Sequence, residues 1–260
     1  MTQPQVAVAV IVTLVTCASS FAADVGEDGT VQLFNGKNLD GWHVSVSAGW
    51  DKSQDQPEVF AVEDGAIRAY GNLAANADQP FASLVTDDSF SNYRLQLEYK
   101  WGEKKIASYE HRARDAGVMF HVFGSSRVWP NGVQYQIQEG DTGDIWAIGT
   151  RVSSKVHKVD RNYSPDGQWV TRGARDQHFA RFHRSNCWEK PGWNDVEIDV
   201  NGNRALFKLN GYVVNEAINI MRWDDGSGVY LPLNEGKILL QAEGSEIFYR
   251  NIRITPRKSD

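Results

Sequence analysis

The sequence has 260 residues, of which 41% are hydrophobic, 23% charged and 11% aromatic. This is the composition of a globular protein, and it excludes disordered and collagen-like chains. The formal net charge of -6 at pH 7 argues against a nucleic-acid binder that relies on a positive surface. Nine Trp, nine Tyr and eleven Phe beside 23 Gly favour sheets and tight turns over a helical bundle.

The first residues have the pattern of an export signal. An uncharged, mostly apolar run covers residues 6–18, and small residues at Ser20 and Ala22 fit a signal-peptidase site. We therefore predict a signal peptide over 1–22 and a secreted or periplasmic mature protein. The run is short for a membrane-spanning helix, so an uncleaved anchor is the alternative. A lipoprotein attached through Cys17 is a further alternative, although the Thr before it fits that motif poorly.

Apolar and polar residues alternate with a period of two along most of the chain, which predicts a β protein. Asp64-Gly65, Asn201-Gly202 and Asn210-Gly211 are typical hairpin turns. The predicted strands cover 59–62, 66–70, 81–86, 93–101, 117–123, 133–138, 145–148, 196–200, 205–209, 212–214, 237–242 and 247–254. About a dozen short strands without a repeat indicate an all-β, two-sheet antiparallel sandwich or jelly roll, which we expect to form one domain over 23–260.

Two polar segments interrupt the alternation. Residues 103–115 are predicted to form a loop with a helical turn. Residues 151–190 contain nine Lys/Arg, three His and four Asp/Glu, and are predicted to form a long loop insertion. Such an insertion is either a solvated excursion or a lid. Its aromatic and basic residues could cover a sugar or an anion: Trp169, Arg175, His178, Phe179, Arg181, His183 and Trp188.

Alternation also predicts which polar side chains share a face. Gln96, Glu98 and Lys100 lie opposite the apolar residues of their strand, and the polar positions of the later strands are His121, Gln134, Gln136, Gln138, Gln241 and Glu243. A solvated outer face is the alternative explanation. Because amides and His alternate here with Met and Phe, we expect these residues to form one ligand-facing surface.

The loop that follows the Gln-rich strand is acidic. Glu139, Asp141 and Asp144 lie between glycines, so their oxygens could bind Ca²⁺ or another hard cation, or form a plain acidic turn. The sequence contains no G-x-S-x-G elbow, no H-E-x-x-H motif and no phosphate-binding glycine loop. Serine-hydrolase, zinc-protease and nucleotide chemistries are therefore disfavoured.

Several motifs in order along the chain resemble the 3-keto-disaccharide hydrolase family. The opening motif is Leu-Phe-Asn-Gly-Lys-Asn-Leu-Asp-Gly-Trp at 33–42, and Val-Glu-Asp-Gly at 62–65, Tyr-Gln-Ile-Gln at 135–138 and Leu-Gln at 240–241 follow it. The resemblance implies a concanavalin A-like jelly roll, a bacterial secreted enzyme and a substrate oxidised at C3 of a sugar. A C3 ketone acidifies the C2 proton, so a base can remove it, the C1 substituent is expelled, and water adds back.

The resemblance also implies roles for the polar face. Glu98 or His121 is the predicted base, and Lys100, or a Ca²⁺ or Mn²⁺ ion held by Glu139, Asp141 and Asp144, would stabilise the oxyanion. The predicted substrate-binding residues are Gln134, Gln136, Gln138, Trp146, Gln241 and Glu243. Gln134 and Glu243 depart from the family pattern, which often has Glu and His at those places, so substrate or mechanism is expected to differ.

Two other functions remain open from the sequence. A non-catalytic carbohydrate-binding module or lectin would use the same fold and the same aromatic surface. A cell-surface structural domain would use 151–190 as a docking element. Neither reading needs nucleic acid or a membrane-spanning segment in the mature chain.

Overall fold

The computed structural model describes residues 25–47, 58–74 and 77–257, so the predicted signal peptide at 1–22 lies outside the described residues. Eighteen strands form in this part of the chain. They are β1 (Val31–Gln32), β2 (Trp42–Val46), β3 (Phe60–Glu63), β4 (Ala66–Ala69), β5 (Ala82–Thr86), β6 (Tyr93–Lys105), β7 (Asp115–Phe123), β8 (Asn131–Gln138), β9 (Ile145–Ile148), β10 (Thr150–Val156), β11 (Gln168–Arg172), β12 (Phe179–Phe182), β13 (Asn194–Asn201), β14 (Arg204–Leu209), β15 (Tyr212–Asp224), β16 (Val229–Pro232), β17 (Lys237–Ala242) and β18 (Ser245–Pro256).

The strands form two antiparallel sheets, which confirms the predicted sandwich of jelly-roll type. The first sheet has the order β11-β10-β15-β14-β13-β6-β18-β4-β3, with β1 added beside β18 and β16 beside β15. The second sheet has the order β12-β9-β8-β7-β17-β5-β2. Inward-facing residues of both sheets form one hydrophobic cluster. Phe207 of the first sheet, for example, packs against Phe120 and Tyr135 of the second, with ring centroids 5.9 and 5.0 Å apart.

The hairpin turns follow the predicted chemistry. Asp64 and Gly65 have φ of 49° and 74°, and Asn210 and Gly211 have φ of 49° and 85°. Two consecutive positive φ angles define a type I′ turn, which Asp-Gly and Asn-Gly adopt readily. The third turn lies one residue later than predicted, because Asn201 still pairs with Arg204 and the loop is residues 202–203.

Segment 151–190 differs from the predicted loop insertion. It supplies most of β10 and all of β11 to the first sheet, and all of β12 to the second. Strand β11 pairs regularly with β10, and β12 pairs with β9 along its full length, whereas the pairing of β10 with β15 has a register shift at Arg151–Ser153. Within this segment the chain therefore passes between the two sheets. Its strands β11 and β12 form an edge of the first and of the second sheet, respectively.

In the other polar segment, 103–115, the loop is shorter than predicted. Strand β6 continues to Lys105, and a single 3-10 turn at Ala107–Tyr109 precedes β7. Among residues 25–47, 58–74 and 77–257, no helix is long and apolar enough to cross a membrane.

Candidate functional site

The outer face of the second sheet carries a cavity of about 350 Å³, which we call the groove. Residues from four adjacent strands and two loops line it: Asp115, Trp129, Gln134, Gln136, Gln138, Trp146, Ile148, Phe179, Arg181 and Glu243. Five of the six predicted substrate-binding residues are in this set. The sixth, Gln241, is fully buried beside them and donates from Nε2 to Oε1 of Gln134 at 3.0 Å.

A chain of amide hydrogen bonds crosses the floor of the groove. From Gln134 it continues to Oε1 of Gln136, whose Nε2 donates to Oδ1 of Asp115 at 2.8 Å. Gln138 donates from Nε2 to the other carboxylate oxygen of Asp115 at 2.7 Å. Both oxygens of Asp115 therefore accept amide N–H groups, and this favours the ionised form of that carboxyl.

Gly117 allows the amide chain to lie flat on the sheet. A Cβ at this position would come within 2.2 Å of Oε1 of Gln241 and 2.8 Å of Nε2 of Gln134. Any larger residue at position 117 would therefore displace the side chain of Gln241 or of Gln134. The oxygen of Gln241 that faces this strand is buried and has no hydrogen-bond partner in the described part of the chain.

Glu243 and Asp115 form a carboxyl pair at one end of the amide chain. The two groups are hydrogen bonded to each other, and Nε1 of Trp129 also donates to Oε1 of Glu243. Two carboxylates in contact cannot both be ionised without strong repulsion, so such a pair shares a proton. The amide donors on Asp115 favour charge there, and this places the proton on Glu243.

Burial raises the pKa of both carboxyl groups. Burial, followed by the charge of Asp115, raises the pKa of Glu243 to about 8. Burial raises the pKa of Asp115 to about 6, against the lowering effect of its hydrogen bonds and of Arg181. Near neutral pH the pair therefore holds one carboxylate and one carboxylic acid, which is the combination that proton transfer requires.

An arginine and two aromatic rings form the opposite wall. The Arg181 guanidinium lies 5.1 Å above the ring of Trp146, and Phe179 meets the same ring edge-on at 6.5 Å. Arg181 also pairs with Asp144 at 2.6 Å and with Asp141 at 2.8 Å. A cation and flat apolar surfaces thus face the carboxyl pair across the groove.

The predicted cation site does not form. Asp144 is fully buried and accepts from Arg181, from His183 and from the backbone and side chain of Arg184. The third predicted ligand, Glu139, pairs instead with Arg114 at 2.8 Å. Guanidinium groups thus occupy the oxygens that a metal would need. Within the described ranges no group of three or more His, Cys, Asp or Glu side chains is arranged to hold a metal ion.

The prediction that Glu98 and Lys100 share the face of the glutamines is wrong. Both project from β6 onto the outer face of the first sheet, on the opposite side of the sandwich from the groove. Glu98 pairs with Arg250 at 2.5 Å and accepts from Asn251 at 3.0 Å, whereas Lys100 lies over the rings of Trp193 and Phe248. Although burial opposes it, the Arg250 contact lowers the pKa of Glu98, which is unfavourable for a base.

The prediction for His121 is also wrong in position. A bulge in β7 between Phe120 and Phe123 gives His121 a φ of 52° and turns its side chain away from the groove. The ring is fully buried, and its Nε2 lies 2.9 Å from the carbonyl oxygen of Gly202, in the turn between β13 and β14 of the first sheet. Burial lowers the pKa of His121 to about 4, so the ring is neutral at physiological pH and links the two sheets.

Five groove residues received no catalytic or substrate-binding role from the sequence: Asp115, Trp129, Ile148, Phe179 and Arg181. Asp115 was assigned to the end of a polar loop, but extending the alternation of Met119 and Gly117 back by one step would have placed it on their face. Arg181 was named only as part of a segment that could cover a sugar or an anion. No signal in the sequence points to Trp129, which reaches the groove from the loop between β7 and β8.

Comparison with known proteins agrees with this geometry. Residues 29–255 match the 3-keto-alpha-glucoside-1,2-lyase-like domain family. The chain belongs to this family. The match covers both sheets and every residue that lines the groove, and the predicted family resemblance is thereby confirmed.

Individual relatives are distant in sequence. A 3-keto-disaccharide hydrolase of Bacteroides thetaiotaomicron is 23% identical over 257 residues, which cover 90% of this chain and 81% of that protein. Two crystal structures of candidate glycosyl hydrolases from Parabacteroides distasonis share the fold. They superpose with TM-scores of 0.51 and 0.50 at 19% and 21% identity, and each covers 88% of this chain and 94% or 99% of its own.

Proposed function

We propose that this chain is a carbohydrate-active enzyme that cleaves 3-keto-glycosides, with removal of the C2 proton, elimination of the C1 substituent and addition of water. Family membership and the hydrolase from Bacteroides thetaiotaomicron support the substrate class. The groove supports the chemistry, because it combines a shared-proton carboxyl pair with a cation and aromatic surfaces that suit a sugar ring.

The pairing of Asp115 and Glu243, which line the same groove and interact with each other there, is the observation that carries the proposal. Glycosidases that act by direct displacement separate their two carboxyl groups by roughly 5–5.5 Å or 6.5–9.5 Å, to place a nucleophile or a water molecule. Two carboxyl groups in direct hydrogen-bond contact fit neither arrangement. They suit a reaction in which both groups move protons and neither attacks the anomeric carbon.

In the proposed reaction Asp115 is the base and Glu243 the acid. Asp115 takes the C2 proton, and the C–H electrons form an enolate whose oxygen faces Arg181. The enolate then expels the C1 oxygen, which takes the proton of Glu243 and leaves as an alcohol. Water adds to C1 of the resulting enone, giving a proton to the Glu243 carboxylate, while the Asp115 carboxyl, after exchanging its proton with solvent, protonates C2. The net change is hydrolysis, and both carboxyl groups end as they began.

The experiment combines turnover with isotope exchange. Purified enzyme is incubated with a 3-keto-disaccharide in D₂O, and we expect release of the free sugar together with deuterium at C2 of the 3-keto product. Asp115→Asn and Glu243→Gln should each lower kcat by roughly 10²- to 10⁴-fold. Glu98→Gln, on the far side of the sandwich, is the matched control and should leave kcat unchanged.

Three results would contradict the proposal. Hydrolysis without deuterium at C2 would indicate direct displacement. Full activity in Asp115→Asn would remove the assigned base. Saturable sugar binding without any product would favour a carbohydrate-binding module over an enzyme.

Export is proposed separately, from the sequence pattern at 1–22. We expect the mature protein to begin at Ala23 and to occur outside the cytoplasm. N-terminal sequencing of protein from the fractionated native host tests this, and an intact N-terminus on cytoplasmic protein would contradict it.

A further inference from the structure

A second cavity, of about 510 Å³, lies beside the groove, and we call it the side cavity. Ile148 and Phe179 line the groove, and the residues next to them, Gly149 and His178, line the side cavity. The N–H of Gly149 donates to the carbonyl oxygen of His178 at 2.7 Å, so β9 and β12 are joined at this boundary. A substrate longer than one sugar could therefore occupy both cavities.

Aromatic rings and arginines form part of the wall of the side cavity. Trp223 and Tyr230 meet edge-on with centroids 5.1 Å apart. Arg151 lies 3.7 Å over the ring of Tyr230, and Arg175 lies 5.3 Å over that of Trp223. Rings that are half-buried and open to a cavity are surfaces on which sugars stack.

Positive charge in the side cavity exceeds negative charge. Arg127 donates to Oδ1 of Asn131 at 2.9 Å and has no carboxylate partner among the described residues. Asp225 is the one acidic residue of the lining, and it pairs with Arg175 at 3.3 Å in an exposed contact. Burial and then the charge of Arg127 lower the pKa of His178, which places this uncompensated guanidinium close to that ring.

We propose that the side cavity binds an anionic group, a carboxylate or a sulfate, on a sugar linked to the unit that occupies the groove. Arg127 is the residue that recognises it, since a guanidinium without an acidic partner can donate two N–H groups to one anion. The inference rests on the proposed function, because it extends a substrate bound in the groove. It identifies acidic glycosides as the preferred substrate class.

The test measures binding without turnover, so it does not depend on cleavage. Calorimetric titration uses three unoxidised disaccharides with the same first glucose, whose second sugar is glucose, glucuronic acid or glucose 6-sulfate. We expect one of the two acidic sugars to bind about tenfold more tightly than the neutral one, and the tighter of the two identifies the anion. Arg127→Ala should abolish the preference, whereas Arg204→Ala, an exposed arginine of the first sheet, should retain it.

Equal affinity for acidic and neutral disaccharides in the wild-type protein would overturn the inference, as would no detectable binding of any of them. An equal loss of affinity for all three disaccharides in Arg127→Ala would overturn it as well, because Arg127 would then contribute to binding without recognising the anionic group. Failure of the proposed function has a different signature, namely the absence of 3-keto-disaccharide cleavage with the acidic preference in binding still present.

Discussion

Replacement of Glu243 by glutamine should change how stability depends on pH. The carboxyl of Glu243 is almost completely buried, with 6% of its surface exposed, and its pKa is raised from 4.5 in the unfolded chain to about 8 in the fold. Glutamine has nearly the same shape as the neutral acid and can still donate to Asp115. The substitution therefore removes the titration while most of the packing is kept.

The direction follows from proton binding. Because the pKa is raised on folding, Glu243 contributes stability that is fully present below pH 4.5 and is lost as pH rises through 8. One proton changes the free energy of unfolding by about 1.4 kcal/mol per pH unit where it is fully linked to folding. Between pH 6 and pH 8 the free energy of unfolding of the wild-type protein should therefore fall by about 2 kcal/mol relative to that of Glu243→Gln. The fall is less than the full slope gives, because the slope decreases as the pH approaches the pKa of Glu243 in the folded protein.

Urea denaturation of both proteins at half-unit steps from pH 5.5 to 8.5 measures the difference. Glu246→Gln is the matched control, because it removes another buried carboxyl three residues along. Although burial opposes it, hydrogen bonds from Arg68 and from two backbone N–H groups lower the pKa of Glu246, so its stability difference should be constant above pH 5. Parallel curves for wild type and Glu243→Gln would refute a protonated Glu243 and with it the assignment of the acid.

Three further substitutions test the geometry around the groove. Gly117→Ala should lower activity and cost about 1–3 kcal/mol of stability, because its Cβ collides with Gln241; thermal unfolding and turnover check the two parts. His121→Ala should destabilise the fold by about 1–3 kcal/mol through loss of its contact with Gly202, while kcat of the folded protein stays within twofold; a large drop in kcat would restore its catalytic assignment. Asp144→Asn should cost about 3–5 kcal/mol because buried charge pairs are broken, and a Tm unchanged from wild type would show that the pairs contribute little.

The fold could be predicted from the sequence because its signals are local. Asp64-Gly65 and Asn210-Gly211 each fix a hairpin within four residues, and period-two alternation identifies the strands between them. Segment 151–190 was misassigned for the same reason. Its strands β11 and β12 are short and lie at sheet edges, and β11 has polar residues on both faces, so their alternation is a weak signal.

The site was predicted only in part, because alternation gives the face of a strand and not the sheet to which the strand belongs. Gln134, Gln136 and Glu243 were placed together correctly, since β8 and β17, the strand that ends next to Glu243, lie in one sheet. Glu98 alternates just as clearly, yet β6 pairs with β13 and β18 in the other sheet. The prediction for His121 was wrong for a different reason. The bulge in β7 reverses which residues face outward beyond it, and no residue type in that strand indicates a bulge.

Charge distribution explains why the acidic loop and the basic segment follow each other in the chain. Asp141 and Asp144 pair with Arg181 and Arg184, so the two opposite charges are neutralised where β12 meets the loop before β9. A metal bound to the same carboxylates would have left Arg181 without partners and free to move. The carboxylates of Asp141 and Asp144 hold the Arg181 guanidinium over the ring of Trp146, where it faces the position at which the proposed enolate charge develops. In the proposed reaction the acidic loop acts through this arginine. We therefore expect Asp141→Asn to raise KM or lower kcat in steady-state kinetics while the buried Asp144 contacts keep the protein folded.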